Sequence, residues 1–243
     1  MKKIALCIIG IYSFTLLSAQ TPTDSLIAER KDSLRISATS NFSGRLDRFS
    51  SSRFYQMTYI GVPLVGGGLI VKSEDDHFRS LRNDYLPRFS RHADDYMQYA
   101  PAAIMLGMKV AGVQSRSSWG RMIVSDAFSA ILMGSVVNTL KRTTNVERPD
   151  GSNRHSFPSG HTATAFMTAT MLNKEYGHKS PWIGVGAYGM ATATGLMRMA
   201  NNKHWLSDVL TGAGIGILST EIGYYLADLI LKDKGINRFT NEN

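Results

Sequence analysis

The stretch from Lys141 to Asp208 contains KRTTNVERP at 141–149, FPSGHT at 157–162 and RMANNKHWLSD at 198–208. Cations suit a bound oxyanion, and arginine in particular presents a planar fork of donors to phosphate oxygens. Two histidines can divide a reaction at that oxyanion between nucleophilic attack and proton transfer. The stretch therefore predicts phosphoryl transfer. The residues that lead to this prediction are Lys141, Arg148, Arg198, His161, His204 and Asp208.

Two parts of this stretch have a local physical interpretation. Ser159 and Gly160 precede a helical run, and the backbone N–H groups at a helix N-terminus form an anion cradle. Ser159 can equally be an ordinary helix N-cap. His204 and Asp208 are four residues apart and share one face of a helix, so the carboxylate can accept a hydrogen bond from one ring nitrogen. That arrangement leaves the other nitrogen free to attack; the alternative is a surface pair.

In order and spacing, the three blocks resemble the signature of the type-2 phosphatidic acid phosphatase superfamily. That superfamily includes membrane lipid phosphatases, soluble bacterial acid phosphatases and vanadium haloperoxidases. Its pattern is Lys, six residues and Arg-Pro, then Pro-Ser-Gly-His, then Ser-Arg, five residues, His, three residues and Asp. Met197 is the one departure, because it stands where the family usually has Ser. The resemblance covers residues 96–230.

The resemblance implies a role for each matching residue. His204 would carry the phosphoryl group, His161 would protonate the leaving group and Asp208 would orient His204. The phosphate-binding residues would be Lys141, Arg148, Ser159, Gly160 and Arg198. Catalysis would need no cofactor and no metal, and the sequence shows no other Asp, Glu and His set that predicts a metal site.

The substrate that this resemblance implies is a phosphorylated membrane lipid. The family substrates that fit are undecaprenyl diphosphate, phosphatidic acid, phosphatidylglycerol phosphate and the lipid A phosphates, and the sequence does not choose among them. Three alternatives stay open: a soluble periplasmic acid phosphatase, a vanadate-dependent haloperoxidase, and a scaffold that only binds or transports lipid.

Five apolar segments predict the fold, at residues 99–113, 122–140, 162–172, 182–197 and 209–231. They are rich in Ala, Gly, Met and Leu and show no strand-like alternation, so each is predicted to be a helix. Gly pairs such as Gly212 and Gly216 would let helices approach closely, as they do in membranes. The predicted fold is an all-α bundle of about five to six core helices, embedded in a membrane, with a compact soluble bundle as the alternative.

The N-terminus resembles a secretory signal peptide. Lys2 and Lys3 precede an apolar run at 4–17 and a small-residue site that ends at Ala19. The expected organisation is a signal peptide at 1–19, a polar leader at 20–53, an interfacial apolar segment with a charged periplasmic connector at 54–95, the phosphatase core at 96–231 and a tail at 232–243. The only cysteine, Cys7, lies within the signal segment, so the mature chain would form no disulfide.

The formal net charge is +8. No stretch interleaves basic and aromatic residues as a nucleic-acid surface does, so nucleic acid is not an expected partner.

Basic residues recur in alternate connectors, and the positive-inside rule would place these connectors in the cytoplasm. The three motifs would then face the periplasm from the inner membrane. The oligomeric state stays open. The connector residues are Arg116, Arg121, Lys174, Lys179, Lys232, Lys234 and Arg238.

Overall fold

The structure is a computed structural model that describes residues 50–233. Every regular element in this range is a helix, which confirms the predicted all-α class. The predicted signal peptide, the leader up to residue 49 and the tail beyond residue 233 lie outside the described residues.

Nine α-helices follow one another within residues 50–233. They are α1 (Arg53–Thr58), α2 (Gly61–Ile70), α3 (Asp75–Tyr85), α4 (Ala93–Met97), α5 (Ala100–Val110), α6 (Trp119–Thr144), α7 (Gly160–Tyr176), α8 (Pro181–Ala200) and α9 (Leu206–Asp233). A 3₁₀ turn, Val71–Glu74, joins α2 to α3. Helices α5 to α9 correspond to the five predicted apolar segments, and α2 packs against α9 as a sixth core helix.

Serine caps explain where three of these helices begin. Ser118, Ser159 and Ser180 precede α6, α7 and α8, and each side chain accepts a hydrogen bond from a backbone N–H in the first turn. Such a bond satisfies one of the donors that a helix N-terminus leaves unpaired. Pro181 occupies the first turn of α8, where its fixed φ suits the helix and its missing N–H costs nothing.

Helix α7 lies at the centre of the bundle and contacts α5, α6, α8 and α9. Its small residues Ala163, Ala165 and Ala169 are completely buried. Helix α9 approaches it so closely that a Cβ at Gly212 would lie 2.6 Å from the carbonyl oxygen of Ser159, and one at Gly216 would meet the carbonyl oxygen of Ala163. The contact between α7 and α9 therefore needs glycine, because it brings the two backbones together.

The apolar segment that follows residue 53 was predicted to lie at a membrane surface, and in the structure it packs lengthwise along α9. Arg53 and Met57 border a cavity together with Asp228, near the far end of α9. A Cβ at Gly68 would lie 2.9 Å from the backbone nitrogen of Thr211, near the start of α9. Helices α1 and α2 therefore run alongside α9 and belong to the bundle.

Two helices within the described residues are long and apolar enough to cross a membrane, α6 and residues 206–231 of α9. Only 17% of the apolar window of α6 is buried in the protein. Its outward side chains include Ile123, Ile131 and Val136, which are all exposed. A large apolar surface of this kind is typical of an interaction site or a membrane-facing helix.

The α7–α9 contact predicts that a glycine within it tolerates substitution less well than a glycine outside it. Gly216→Ala should lower the melting temperature, because overpacking costs about 1–3 kcal/mol and outweighs the better helix propensity of alanine. Gly186→Ala is the matched control in α8, where an added Cβ meets nothing within 4 Å. It should leave the melting temperature unchanged or raise it. Thermal unfolding of both proteins in detergent provides the test, and a Gly216→Ala protein as stable as the wild type would contradict the close contact.

Candidate active site

The three sequence blocks meet at one end of the bundle. Lys141 lies in the last turn of α6, and its amino group donates to the carbonyl oxygen of His155 at 2.7 Å. Its Cε lies 3.8 Å from the position of a Cβ at Gly160, so the side chain passes beside the start of α7. The backbone N–H of Ser159 donates to the carbonyl oxygen of Asp208 at 3.0 Å, which ties the second block to the third.

His204 and Asp208 form a buried pair. His204 is 3% exposed, Asp208 is completely buried, and Nδ1 of His204 lies 3.2 Å from Oδ2 of Asp208. The same oxygen accepts hydrogen bonds from the hydroxyl of Ser156 and from the backbone N–H of Trp205. The predicted contact between this histidine and this carboxylate is therefore present, in the core and not on the surface. Nδ1 faces the carboxylate, so Nε2 is the nitrogen that can act on a substrate.

Burial lowers the pKa of His204 to about 4, although the hydrogen bond to Asp208 acts in the opposite direction. Removal of the imidazolium from water costs more free energy than its attraction to the nearby carboxylate provides. The histidine is therefore neutral at neutral pH, with a lone pair available on Nε2.

The loop between α6 and α7 holds Arg148 beside Arg198. The backbone N–H of Arg148 donates to the carbonyl oxygen of Asn153 at 3.0 Å. Burial and then the positive charge of Arg198 lower the pKa of the Arg148 guanidinium. The Nε–H groups of both arginines are buried and have no hydrogen-bond partner among residues 50–233. Two adjacent guanidinium groups with unpaired donors form a site for an oxyanion.

Ser159 is fully buried at the N-cap of α7. Its hydroxyl accepts from the backbone N–H of Thr162 at 3.4 Å and lies 2.8 Å from the hydroxyl of the same residue. The structure confirms the N-cap, and the anion cradle at this helix N-terminus stays a prediction. His161 follows in the first turn of α7, with 30% of its side chain exposed.

Part of the chain is similar to known proteins. Residues 122–230 match the model of the PAP2 superfamily. This segment belongs to the PAP2 superfamily. The lipid A 1-phosphatase of Porphyromonas gingivalis is 46% identical over 173 residues, which are 71% of this chain and 39% of that protein. The chain thus spans well under half of the length of this curated relative.

Two solved structures are also similar to the chain. Aquifex aeolicus LpxE gives a TM-score of 0.47 at 21% identity and covers 60% of this chain and 93% of its own. The transmembrane PAP2 type phosphatidylglycerolphosphate phosphatase from Bacillus subtilis gives 0.43 at 20% identity, with 74% and 99% covered.

Two acidic residues at the site lie outside the PAP2 segment, and no motif in the sequence indicated them. Asp94 lies in the region predicted to contain a charged periplasmic connector, but this residue is buried, at 1% exposed. Its carboxylate accepts hydrogen bonds from Nη1 of Arg198 at 2.7 Å and from Nδ2 of Asn201 at 3.1 Å. Met197, where the family usually has Ser, does not leave the arginine without support, because Asp94 holds it.

Asp95 is the second missed residue. Its Oδ1 lies 2.8 Å from Nε2 of His161, whereas the sequence showed no carboxylate partner for this histidine. The hydrogen bond to His161 lowers the pKa of Asp95. Asp94, Asp95 and His161 form one group whose ligand atoms lie within 4.8 Å of one another, close enough to hold a metal ion. Each of the three already has a partner within the chain.

Helix α3, from the same charged segment, fixes the ends of two helices that bear site residues. Asp75 accepts hydrogen bonds from the backbone N–H of Ser207, at 3.0 Å, and from its hydroxyl, so it caps the start of α9. Arg82 donates to the carbonyl oxygen of Ala200 at 2.8 Å, at the end of α8. The guanidinium of Arg79 lies 5.6 Å from the ring centre of Trp205. No motif in the sequence indicated these contacts.

The burial of His204 predicts its titration. The ring should stay neutral down to pH about 4, and Asp208→Asn should lower this midpoint further, because it removes the charge that favours the imidazolium. Imidazole nitrogen shifts measured by NMR in detergent, assigned with His204→Gln, provide the test.

The same burial links the titration to stability. The folded pKa lies below the ordinary value of 6.5, so the unfolded chain binds this proton first. The contribution of His204 to stability is therefore complete above pH 6.5 and decreases as the pH falls towards about 4. A midpoint near 6.5 in the folded protein would contradict the buried position.

Proposed function

We propose that the chain is a membrane lipid phosphatase that hydrolyses a phosphomonoester or diphosphate through a phosphohistidine on His204, without a metal ion. The unpaired, buried Nε–H groups of Arg148 and Arg198 carry this proposal. A buried donor without a partner costs free energy, and a phosphate oxyanion would satisfy both groups. The buried pair of His204 and Asp208 lies at the same end of the bundle and supplies a nucleophile.

The environments of the two histidines favour His204 as the nucleophile. Its Nδ1 is held by the buried Asp208, and its low pKa leaves Nε2 unprotonated. His161 is more exposed, and its Nε2 lies 2.8 Å from Oδ1 of Asp95. Burial lowers the pKa of His161 as well, but the hydrogen bond to Asp95 opposes this shift. A charged carboxylate stabilises an imidazolium, which is the form that a proton donor needs.

The reaction follows from these roles. Nε2 of His204 attacks phosphorus, and the N–P bond forms as the P–O bond to the lipid breaks. The leaving oxygen takes the electron pair of that bond and a proton from His161. Water then attacks phosphorus and gives a proton to His161, and the N–P electron pair returns to Nε2 as inorganic phosphate forms. Lys141, Arg148 and Arg198 would stabilise the charge on the phosphoryl oxygens.

Apolar surface supports a lipid as the substrate. Exposed large apolar side chains occur on α5, α6, α8 and α9, and two helices have the length and composition of membrane spans. The Porphyromonas gingivalis relative is named as a lipid A 1-phosphatase. We therefore propose a lipid A type phosphate as the first substrate to test, with undecaprenyl diphosphate, phosphatidic acid and phosphatidylglycerol phosphate beside it.

The proposed location is the inner membrane, with the active site facing the periplasm. Arg116, Arg121 and Lys174 surround one cavity together with Glu221 and Asp228, at the end of the bundle opposite the site. Basic residues at one end of a membrane bundle favour the cytoplasmic side for that end.

Phosphate release from these four lipids by detergent-purified protein, with EDTA present, tests the function. The wild type should release phosphate, whereas Arg148→Ala and Arg198→Lys should lose about 2–4 kcal/mol of transition-state stabilisation, as the removal of one fixed donor does. Lysine at this position keeps a positive charge beside Asp94 but lacks the planar guanidinium group. Arg116→Ala, at the other end of the bundle, is the control and should match the wild type.

Each alternative activity has its own outcome in this experiment. Absence of release from every lipid would indicate a binding scaffold, and loss of activity in EDTA would show that a metal takes part. Release of activity with the periplasmic fraction without detergent would favour a soluble acid phosphatase. Halide oxidation after the addition of vanadate would favour a haloperoxidase.

The proposed roles of the histidines predict where a phosphoryl label accumulates. Rapid quenching with radioactive substrate, followed by peptide mapping, should place the label on the peptide that contains His204. His204→Ala should remove the label. His161→Ala should slow labelling much more with lipid substrates than with aryl phosphates, because an activated aryl group leaves without a proton.

Asp208→Asn provides a further check, because it should lose activity and still bind vanadate, which resembles five-coordinate phosphorus. A label on the peptide that contains His161, persisting in His204→Ala, would show that the two roles are reversed.

A further inference from the structure

Asp95 contacts two residues of the candidate active site. Its Oδ1 lies 2.8 Å from Nε2 of His161 and 3.8 Å from Nη1 of Arg198. Its Oδ2 lies 3.6 Å from Nδ1 of His92. The residue stands before residue 122, where the PAP2 match begins, so neither the family match nor any motif gives it a role.

The backbone around Asp95 is fixed on both sides. The preceding residue, Asp94, is buried and bonded to Arg198 and Asn201. The following turn is held by Gln98, whose side chain donates to the carbonyl oxygen of Asp95 at 2.9 Å. The carbonyl oxygen of Gln98 in turn accepts from the hydroxyl of Thr168 in α7, also at 2.9 Å. Asp95 is therefore held against the helix that carries His161, although 45% of its side chain is exposed.

We propose that Asp95 is the positioning residue of the proton donor: it holds Nε2 of His161 and stabilises the imidazolium. This inference rests on the proposed function. With Nε2–H donated to Asp95, Nδ1–H is the other donor of the imidazolium. The proton on Nδ1 passes to the leaving oxygen as the P–O bond breaks, and His161 becomes a neutral imidazole that keeps its hydrogen bond to Asp95. In the second step Nδ1 takes a proton from the attacking water.

Charged groups on two helices face His161. Burial and then the positive charge of Arg198, from α8, lower the pKa of His161, whereas Asp95 and Asp94, from α4, act in the opposite direction and favour the imidazolium. Asp94 is already engaged by Arg198. Asp95 is therefore the carboxylate that offsets the arginine at this histidine, and its removal should make the proton harder to keep.

A second role for Asp95 would have a different kinetic effect. Its oxygen lies between His161 and Arg198, where a phosphate oxygen could also bind, so the carboxylate could act as a competitor that substrate displaces. Removal of a competitor lowers KM and leaves kcat unchanged, whereas removal of a positioning residue lowers kcat.

The test compares Asp95→Asn with the wild type on alkyl and aryl phosphates of increasing leaving-group pKa. We expect kcat to fall by about ten- to a hundred-fold for alkyl esters and little for aryl esters, since proton donation matters only for a poor leaving group. The basic limb of the pH profile should move to lower pH. Asp95→Glu should recover part of the alkyl activity, because it restores the charge.

Asp84→Asn is the matched control, because it removes an exposed carboxylate from α3. It should leave both substrate classes and the pH profile unchanged. Equal losses on alkyl and aryl esters, an unmoved basic limb, or a lower KM at constant kcat in Asp95→Asn would overturn the inference. Lack of phosphatase activity in the wild type would instead contradict the proposed function, so the two failures are distinguishable.

Discussion

The buried carboxylate of Asp208 joins parts of the chain that are far apart in sequence. Its Oδ2 contacts the ring of His204, the hydroxyl of Ser156 and the backbone N–H of Trp205. The backbone carbonyl oxygen of Asp208 accepts a hydrogen bond from the backbone N–H of Ser159, at the start of α7. A buried charge is tolerated only when it is paired and hydrogen-bonded, so these donors have to stay in place. The orientation of the histidine and the position of the helix cap thus depend on one residue, the first through its carboxylate and the second through its backbone carbonyl group.

Residues of α3 and α4, which precede the PAP2 match in the chain, stabilise this arrangement. Asp75 caps α9, Arg82 binds the last carbonyl group of α8, and Asp94 holds Arg198. Each contact is made at the end of a helix that carries a residue of the site. Helix ends leave backbone groups unpaired, so side chains that satisfy them also fix where the ends lie. Helices α3 and α4 therefore act on the geometry of the site, even though they lie outside its motifs.

The sequence allowed the prediction of contacts that depend on local spacing. His204 and Asp208 are one helical turn apart, and a serine followed by glycine before a helical run indicates an N-cap, so both features could be derived from neighbouring residues. The partners Asp94 and Asp95 are 104 and 66 residues away from Arg198 and His161. They stand among many similar acids and arginines, and nothing local distinguishes a buried carboxylate from a solvated one. The helix ends were also predicted only approximately. The predicted segments were bounded by their apolar residues, whereas the serine caps lie outside those segments.

The balance of charge in the site bears on how it would accept a phosphate. Lys141, Arg148 and Arg198 supply three positive charges, and three carboxylates at the same end of the bundle oppose them. The carboxylates belong to Asp94, Asp95 and Asp208. These opposite charges offset one another, which favours the packing of six ionised groups close together. A bound phosphate would add negative charge, and a proton on His161 is the change within the site that offsets part of it. Substrate binding would thus favour the protonated histidine, and protonation would favour binding in return, because linkage between two equilibria is reciprocal. The site would then acquire its proton donor when the substrate that needs the proton binds.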